Sequence, residues 1–236
     1  MENNQKTQKF IIYQNQDFLV IDKPNNLPVQ ENKTYSESLE KILKEQIDSL
    51  NSLLRAGMIH RLDRQTTGLL LIAKNQKTLD YLSSLFKERK IHKTYLALVQ
   101  GNLTNQSGEI SFYLEKQFLS SGKIQMKINP HQGKLVQVKF QVLEKLEGFS
   151  FLAIFPRTGR THQIRLACQV IGHPIYNDPL YNSQQDHDLS IGQYLHAHAL
   201  EFQGQQGEKF AFRSPLPTFF QAKLSSLKSK TFNEYL

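Results

Sequence analysis

The stretch MIHRLDRQTTGLLLIAKN, residues 58–75, joins two kinds of chemistry end to end. Its second half, GLLLIAK at 68–74, is an apolar run too short and too glycine-bounded for a helix, so it reads as a central buried strand. Its first half places a single acid, Asp63, between Arg61 and Arg64, with His60 close by. A loop over 60–67 would then deliver Asp63 to the end of that strand. Three readings of the carboxylate are open from these residues alone: a structural ion pair, a metal ligand or a nucleophile.

Outward from this strand the chain alternates short apolar runs with turns. FLVIDKP (18–24) is a buried strand stopped by proline, and residues 36–50 form an amphipathic helix with Leu39, Ile42, Leu43, Ile47 and Leu50 on one face. Thr34 and Glu37 offer a capping box at its start. KTLDYLSSLFKER (77–89) is a helix with Leu79, Leu82 and Phe86 inward. KTYLALV (93–99) is a strand that puts Tyr95, Ala97 and Val99 on one face. Residues 102–135 read as irregular, with strand-like pieces at Ile110–Leu114 and Ile124–Ile128. KLVQVKFQVLEK (134–145) and FSFLAIF (149–155) form a hairpin around Glu147-Gly148. THQIRLACQVIG (161–172) is a helix with Thr161 as N-cap and Gly172 as its stop, and LHAHALEF (195–202) is a further strand. Strands outnumber helices and arrive in hairpins, which predicts an α+β fold with a mixed, largely antiparallel central sheet flanked by helices. The expected boundaries are a disordered tail over 1–9, one domain over 10–225 and a C-terminal tail over 226–236.

The totals narrow the class. Among 236 residues, 29 Lys and Arg face 21 Asp and Glu, a net charge of +8 that favours a polyanionic partner. Residues 55–101 hold nine cations against three acids, so most of the surplus surrounds Asp63. The single Cys168 excludes an internal disulfide framework and a cysteine zinc site, and it fits a reducing compartment. The start, MENNQKTQK, has no apolar signal region, and no run approaches the 18 apolar residues of a membrane span. A cytoplasmic protein without membrane contact is expected.

Candidate sites follow from residue types. His196 and His198 share one strand face, a geometry that metal sites use, but no accompanying ligand pattern supports them and arginines beside Asp63 would repel a cation. A core-facing histidine pair is the plainer reading. PRTGRTHQIR (156–165) is a glycine-bearing loop entering a helix, with Arg157 and Arg160 added, which suits a phosphate. Arg165 falls at the buried edge of that helix, where an arginine calls for an anionic partner, and Asp63 is the candidate. Tyr95 follows the most basic helix and offers a ring for stacking a base.

In order along the chain, FLVIDKPNNLPV, HRLDRQTTGLLLIAK, KTYLALVQG, RTGRTHQIRLAC with GHPIYNDPLY, and LHAHALEF with SPLP (214–217) resemble the motifs of the RluA-like family of pseudouridine synthases. The resemblance implies that family's catalytic-domain fold and isomerisation of a uridine in rRNA or tRNA to its C5-glycoside. It implies a catalytic set of Asp63, Tyr95 and Arg165, in which Tyr95 packs on the target uracil and Arg165 orients Asp63. Arg61 resembles the arginine that fills the stack after the base flips out. Arg64, Lys93, Arg157 and Arg160 complete the expected RNA contacts. No cofactor and no metal are implied, and a monomer acting on an RNA stem-loop is expected. The chain departs from the family where glycine usually stands: Asn26, Asn177 and Asn182 occupy those positions, and asparagine tolerates positive φ better than other non-glycine residues. The first motif begins near residue 18, so the N-terminal S4-type module of many relatives is expected to be missing. Target choice would then rest on loops such as 102–135 or on RNA shape. The rival reading is a non-catalytic RNA-binding or chaperone module on the same fold.

Overall fold

The computed structural model describes residues 8–31, 35–118, 124–129, 131–183 and 187–235. Ten strands form one sheet: β1 Ile11–Gln14, β2 Phe18–Lys23, β3 Thr67–Ala73, β4 His92–Gln100, β5 Ser107–Phe118, β6 Ile124–Asn129, β7 Lys134–Leu146, β8 Phe149–Pro156, β9 Leu195–Gln203 and β10 Lys209–Arg213. Their spatial order is β1-β2-β3-β9-β4-β8-β7-β5-β6, with β10 paired to β9. Only β3–β9 is parallel among the described pairings, so the sheet is mixed and largely antiparallel as expected. The helices are α1 Leu39–Gln46, α2 Gln76–Lys87, α3 Gln163–Val170 and α4 Thr218–Ser226. None of the described helices is long and apolar enough to cross a membrane.

Every residue of β3 is buried, which explains its unbroken apolar run. It pairs along its length with β2 but touches β9 only at Thr67↔His196 and Gly68↔Ala197. Beyond that contact β10 takes over the same edge of β9. The wedge left between β2 and β10 is filled by rings: Phe18 meets Phe210 at 4.9 Å and Phe202 at 5.4 Å, and Tyr13 meets Phe212 at 5.1 Å. The β3–β9 contact is the place where the loop before β3 enters the middle of the sheet.

Several local expectations change. The first helix is shorter than 36–50: Ser38, not Thr34, caps it by accepting from the Lys41 N–H at 3.2 Å. Thr34 lies outside the described residues. The third helix starts at Gln163, and its cap is His162 in the left-handed region (φ 54°), so Thr161 makes no cap. Much of 102–135 is regular. β5 runs 12 residues and pairs with both β6 and β7, a regularity that its polar composition conceals. Of the residues expected as a disordered tail, 1–7 lie outside the described ones, and Gln8–Phe10 form a 3-10 turn.

The expected C-terminal tail is docked on the body. Glu144 accepts from the hydroxyls of Ser229 and Thr231 and from the Lys230 N–H, and Tyr235 packs edge-on against Phe151 at 5.8 Å. Of the three asparagines at glycine-type positions, Asn26 and Asn177 take positive φ (59° each). Asn182 does not; it is buried, and its amide donates to the Ile175 carbonyl at 3.0 Å.

Gly68 carries the close approach between β3 and β9. Its φ is +106°, and a Cβ there would lie 2.3 Å from the Ala197 carbonyl oxygen. Gly68→Ala is therefore expected to destabilise the fold by about 3 kcal/mol or more. A shift of the urea midpoint relative to wild type measures it.

Candidate active site

The loop between Met58 and β3 is fixed by its own side chains and by three neighbouring segments. His60 is half-buried: its Nε2 accepts the Leu71 N–H at 3.1 Å and its ring stacks on Phe86 at 4.9 Å. Burial, with Lys93 nearby, drives its imidazole down to about 3, so it serves as a neutral acceptor for a strand amide. Gln65 donates to the Leu189 carbonyl at 2.9 Å, and Gln193 donates to the Thr66 hydroxyl at 2.8 Å. Thr67 bonds His196 Nδ1 at 2.8 Å.

Lys23 is wholly buried at the end of β2, and its ammonium donates to three carbonyls: Pro24 at 2.8 Å, Leu27 at 3.0 Å and Arg64 at 2.9 Å. Burial lowers it to about 7 against the pull of Asp63 and Asp22. One lysine thus ties the turn after β2 to the loop that carries Asp63. The apolar run FLVI before Asp22 gives no hint of that task, so sequence reading passed over it.

Arg165 projects from α3 and is 4% exposed. Its Nη1 donates to Asp63 Oδ2 at 3.0 Å, while its Nε and Nη2 grip Asp178 Oδ2 and Oδ1 at 2.7 Å each. The expected partnership with Asp63 is therefore present, and Asp178 is a second partner that sequence reading did not assign. Asp178 is fully buried, and its Oδ1 also accepts the Leu180 and Tyr181 N–H groups, which builds the turn after it.

Burial alone would raise the Asp63 carboxyl. His162, Arg165 and Arg61 outweigh that and hold it below the usual carboxylate range, so it is ionised at neutral pH. Burial opposes the Arg165 charge as well, but the bonds to Asp178 and the field of Asp63 hold it firmly protonated. Tyr95 is buried, and burial with Asp63 nearby pushes its phenol upward, so it stays neutral.

Asp63, Tyr95 and Arg165 all line one cleft of about 1150 Å³ together with Arg61, Lys93, Arg157 and Arg160. Of the expected residues only Arg64 does not line it; its guanidinium lies over the Tyr35 ring at 4.9 Å. Lys93 sits over Phe86 at 5.3 Å, and burial lowers its ammonium to about 8. The N–H of Arg160 is not free for a phosphate, because Gln163 Oε1 accepts it at 2.8 Å. His196 and His198 both face the Ser214 carbonyl, at 3.1 and 2.8 Å, as a buried histidine pair. The arrangement is chemically specific: an ionised carboxylate at the wall of a cleft, a neutral aromatic beside it and cations around the mouth.

Residues 17–170 match the family model described as RNA pseudouridylate synthase. An uncharacterized RNA pseudouridine synthase of Mycoplasma pneumoniae is 35% identical over 226 residues, covering 94% of this chain and 72% of that protein. The ribosomal large subunit pseudouridine synthase C of Rickettsia bellii is 34% identical over 216 residues, covering 91% and 70%. The solved structure of human RNA pseudouridylate synthase domain containing 4 superposes with a TM-score of 0.76 at 20% identity, covering 95% of each chain, a likeness of fold.

Two outcomes test the electrostatics. Asp178→Asn leaves Arg165 with half its buried counter-charge and is expected to cost about 3 kcal/mol in urea unfolding. Because the Asp63 carboxyl is lowered on folding, its stabilisation is complete above the unfolded value of about 4 and is lost as pH falls below it. In Asp63→Asn the fall in stability on the acid side should be shallower than in wild type.

Proposed function

The chain belongs to the RNA pseudouridylate synthase family, and on that premise we propose that it isomerises a specific uridine in structured RNA at the cleft around Asp63. The observation that carries the reading is the state of that carboxylate: ionised, at the cleft wall, with one oxygen bound by the buried Arg165. An anionic acid in that position can attack the ribose C1′ or take its 2′ proton, and either course releases the uracil. Arg165 orients the carboxylate, and Tyr95 packs on the uracil. The reaction is internally balanced. The N1–C1′ bond breaks, the held uracil turns, C5 bonds to C1′, the C5 proton leaves and N1 gains one. No electron carrier is consumed.

The N-glycosidic bond is inaccessible in a stacked helix, so the target nucleotide must leave the stack. Arg61 is exposed and lines the cleft, which supports it as the residue that enters the gap the base leaves. Lys93, Arg157 and Arg160 contact phosphates on the flanking strand. A large-subunit rRNA stem-loop and a tRNA stem-loop are the two substrates to offer.

The test is tritium release from RNA transcribed with uridine labelled at C5, with tRNA and large-subunit rRNA supplied separately. Wild type should release tritium from one of them. Asp63→Asn should release none while its RNA affinity stays within about threefold, and affinity in both should fall steeply with salt. Tight, salt-sensitive binding without release by wild type from either RNA would favour a non-catalytic binding module.

A further inference from the structure

Asp63 has two oxygens, and Arg165 accounts for one. The other, Oδ1, faces His162 Nε2 at 3.7 Å, beyond direct hydrogen-bond range. On its far side the same ring bonds the Tyr181 hydroxyl through Nδ1 at 2.8 Å and lies edge-on to the Tyr181 ring at 5.6 Å. Tyr181 in turn lies under the Arg165 guanidinium at 5.1 Å. An imidazole between a hydroxyl and a carboxylate has one favourable neutral tautomer: Nδ1 accepts the Tyr181 O–H, and Nε2–H points at Asp63.

The backbone shows that this placement is enforced. His162 holds φ 54° and ψ 18°, a left-handed conformation that costs a non-glycine residue about 1–2 kcal/mol. Gln163, itself buried, fixes the loop around it: its Oε1 accepts from the Thr158 hydroxyl and the Arg160 N–H at 2.8 Å each, and its Nε2 donates to the Thr158 carbonyl at 2.7 Å. A loop held this tightly in an unfavourable conformation presents one particular side chain to Asp63.

We propose that His162, with its tautomer set by Tyr181, is a positioning residue for Asp63 that holds Oδ1 from the side opposite Arg165. This rests on the reading of Asp63 as the catalytic carboxylate. The separation of 3.7 Å closes when substrate fills the cleft, since such contacts are long in unliganded enzymes and tighten in the reacting complex. The charged and titratable groups facing His162 are Asp63, Arg165, Asp178, Arg61 and Tyr181. Burial, stronger than the pull of Asp63, keeps the ring neutral further into acid than a free imidazole. Once it protonates, the imidazolium ties up Oδ1 and turnover falls.

The experiment is a pH series of tritium release at saturating and limiting RNA for wild type, His162→Asn, His162→Gln, Tyr181→Phe and Asp63→Asn. Asparagine keeps the left-handed backbone but is too short to span both partners, so the variant folds and isolates the side chain. The expected loss in kcat for His162→Asn is about 100-fold, the scale of a misplaced reacting group, with KM within about threefold. Glutamine restores part of the loss because its amide reaches toward Oδ1.

The two ends of the pair should move the acid limb in opposite directions. His162→Asn removes the imidazole and shifts the limb to lower pH. Tyr181→Phe removes a bond that favours the neutral ring and shifts it to higher pH. Unchanged kcat in His162→Asn, or equal losses in the Asn and Gln variants with an unmoved acid limb, overturns the proposal while Asp63→Asn remains inactive. Turnover by Asp63→Asn overturns the proposal together with the reading beneath it.

Discussion

The buried guanidinium of Arg165 is the point on which the rest of the site depends. The loop before β3 meets there, across about 100 residues of chain, the helix after β8 and the turn that follows that helix. A charge this deep is tolerated only when its donors are used, and here Asp178 takes two of them and Asp63 a third. The geometry is unequal in a useful way. Asp178 is enclosed and grips two nitrogens, so it fixes the fork, whereas Asp63 meets only one nitrogen and keeps an oxygen at the cleft wall. The fixed carboxylate serves structure, and the half-held one keeps an oxygen that Arg165 does not use.

The same division explains the loop's other supports. Lys23 holds the Arg64 carbonyl and His60 holds the Leu71 amide, so the backbone on both sides of Asp63 is fixed before any substrate enters. Neither contact uses the Asp63 side chain. The sheet contributes through the brief parallel contact of β3 with β9, which brings the loop's end to the sheet's centre and requires glycine at position 68. Position and ionisation of the carboxylate therefore have separate physical causes, one in the backbone and one in the arginines around it.

Much of this was legible in the residues. An apolar run of strand length, a lone acid among cations and an arginine on the inner edge of a helix each break a simple pattern, and such breaks are where function is sought. Asp178 was not legible because an acid in a turn rich in Asn and Pro looks like ordinary turn chemistry. Lys23 was hidden for the reverse reason: a lysine ending a strand reads as a solvent-facing stop, and only the three carbonyls folded over it give it a partner. The strand-like pieces at 110–114 and 124–128 fall within β5 and β6, but the full length of β5 was not legible because its alternation is weak, and pairing with β7 supplies what local pattern lacks. His162 shows a further limit, since a residue that enters a helix in a left-handed conformation leaves no mark in a one-dimensional pattern.

Charge balance links the interior of the site to its rim. An ionised carboxylate would repel the phosphates of an approaching RNA if its field reached the cleft mouth. Within the wall two carboxylates face one guanidinium, so the buried set on its own is one charge negative. Arg61 lies close enough to act on Asp63, and Lys93, Arg157 and Arg160 line the same cleft beyond it. The sum seen from outside is positive even though Asp63 at the cleft wall is an anion. Glu109 tempers that surplus at one edge, where it sits 3.7 Å from Arg157 and 3.9 Å from Lys139. Exposed pairs of this length contribute little to stability. They do hold two long side chains near each other at the cleft's border, where a phosphate would exchange for the glutamate. The basic surplus noted in the sequence thus has a second role besides attraction: it screens the Asp63 anion at the cleft wall, the group proposed above to react.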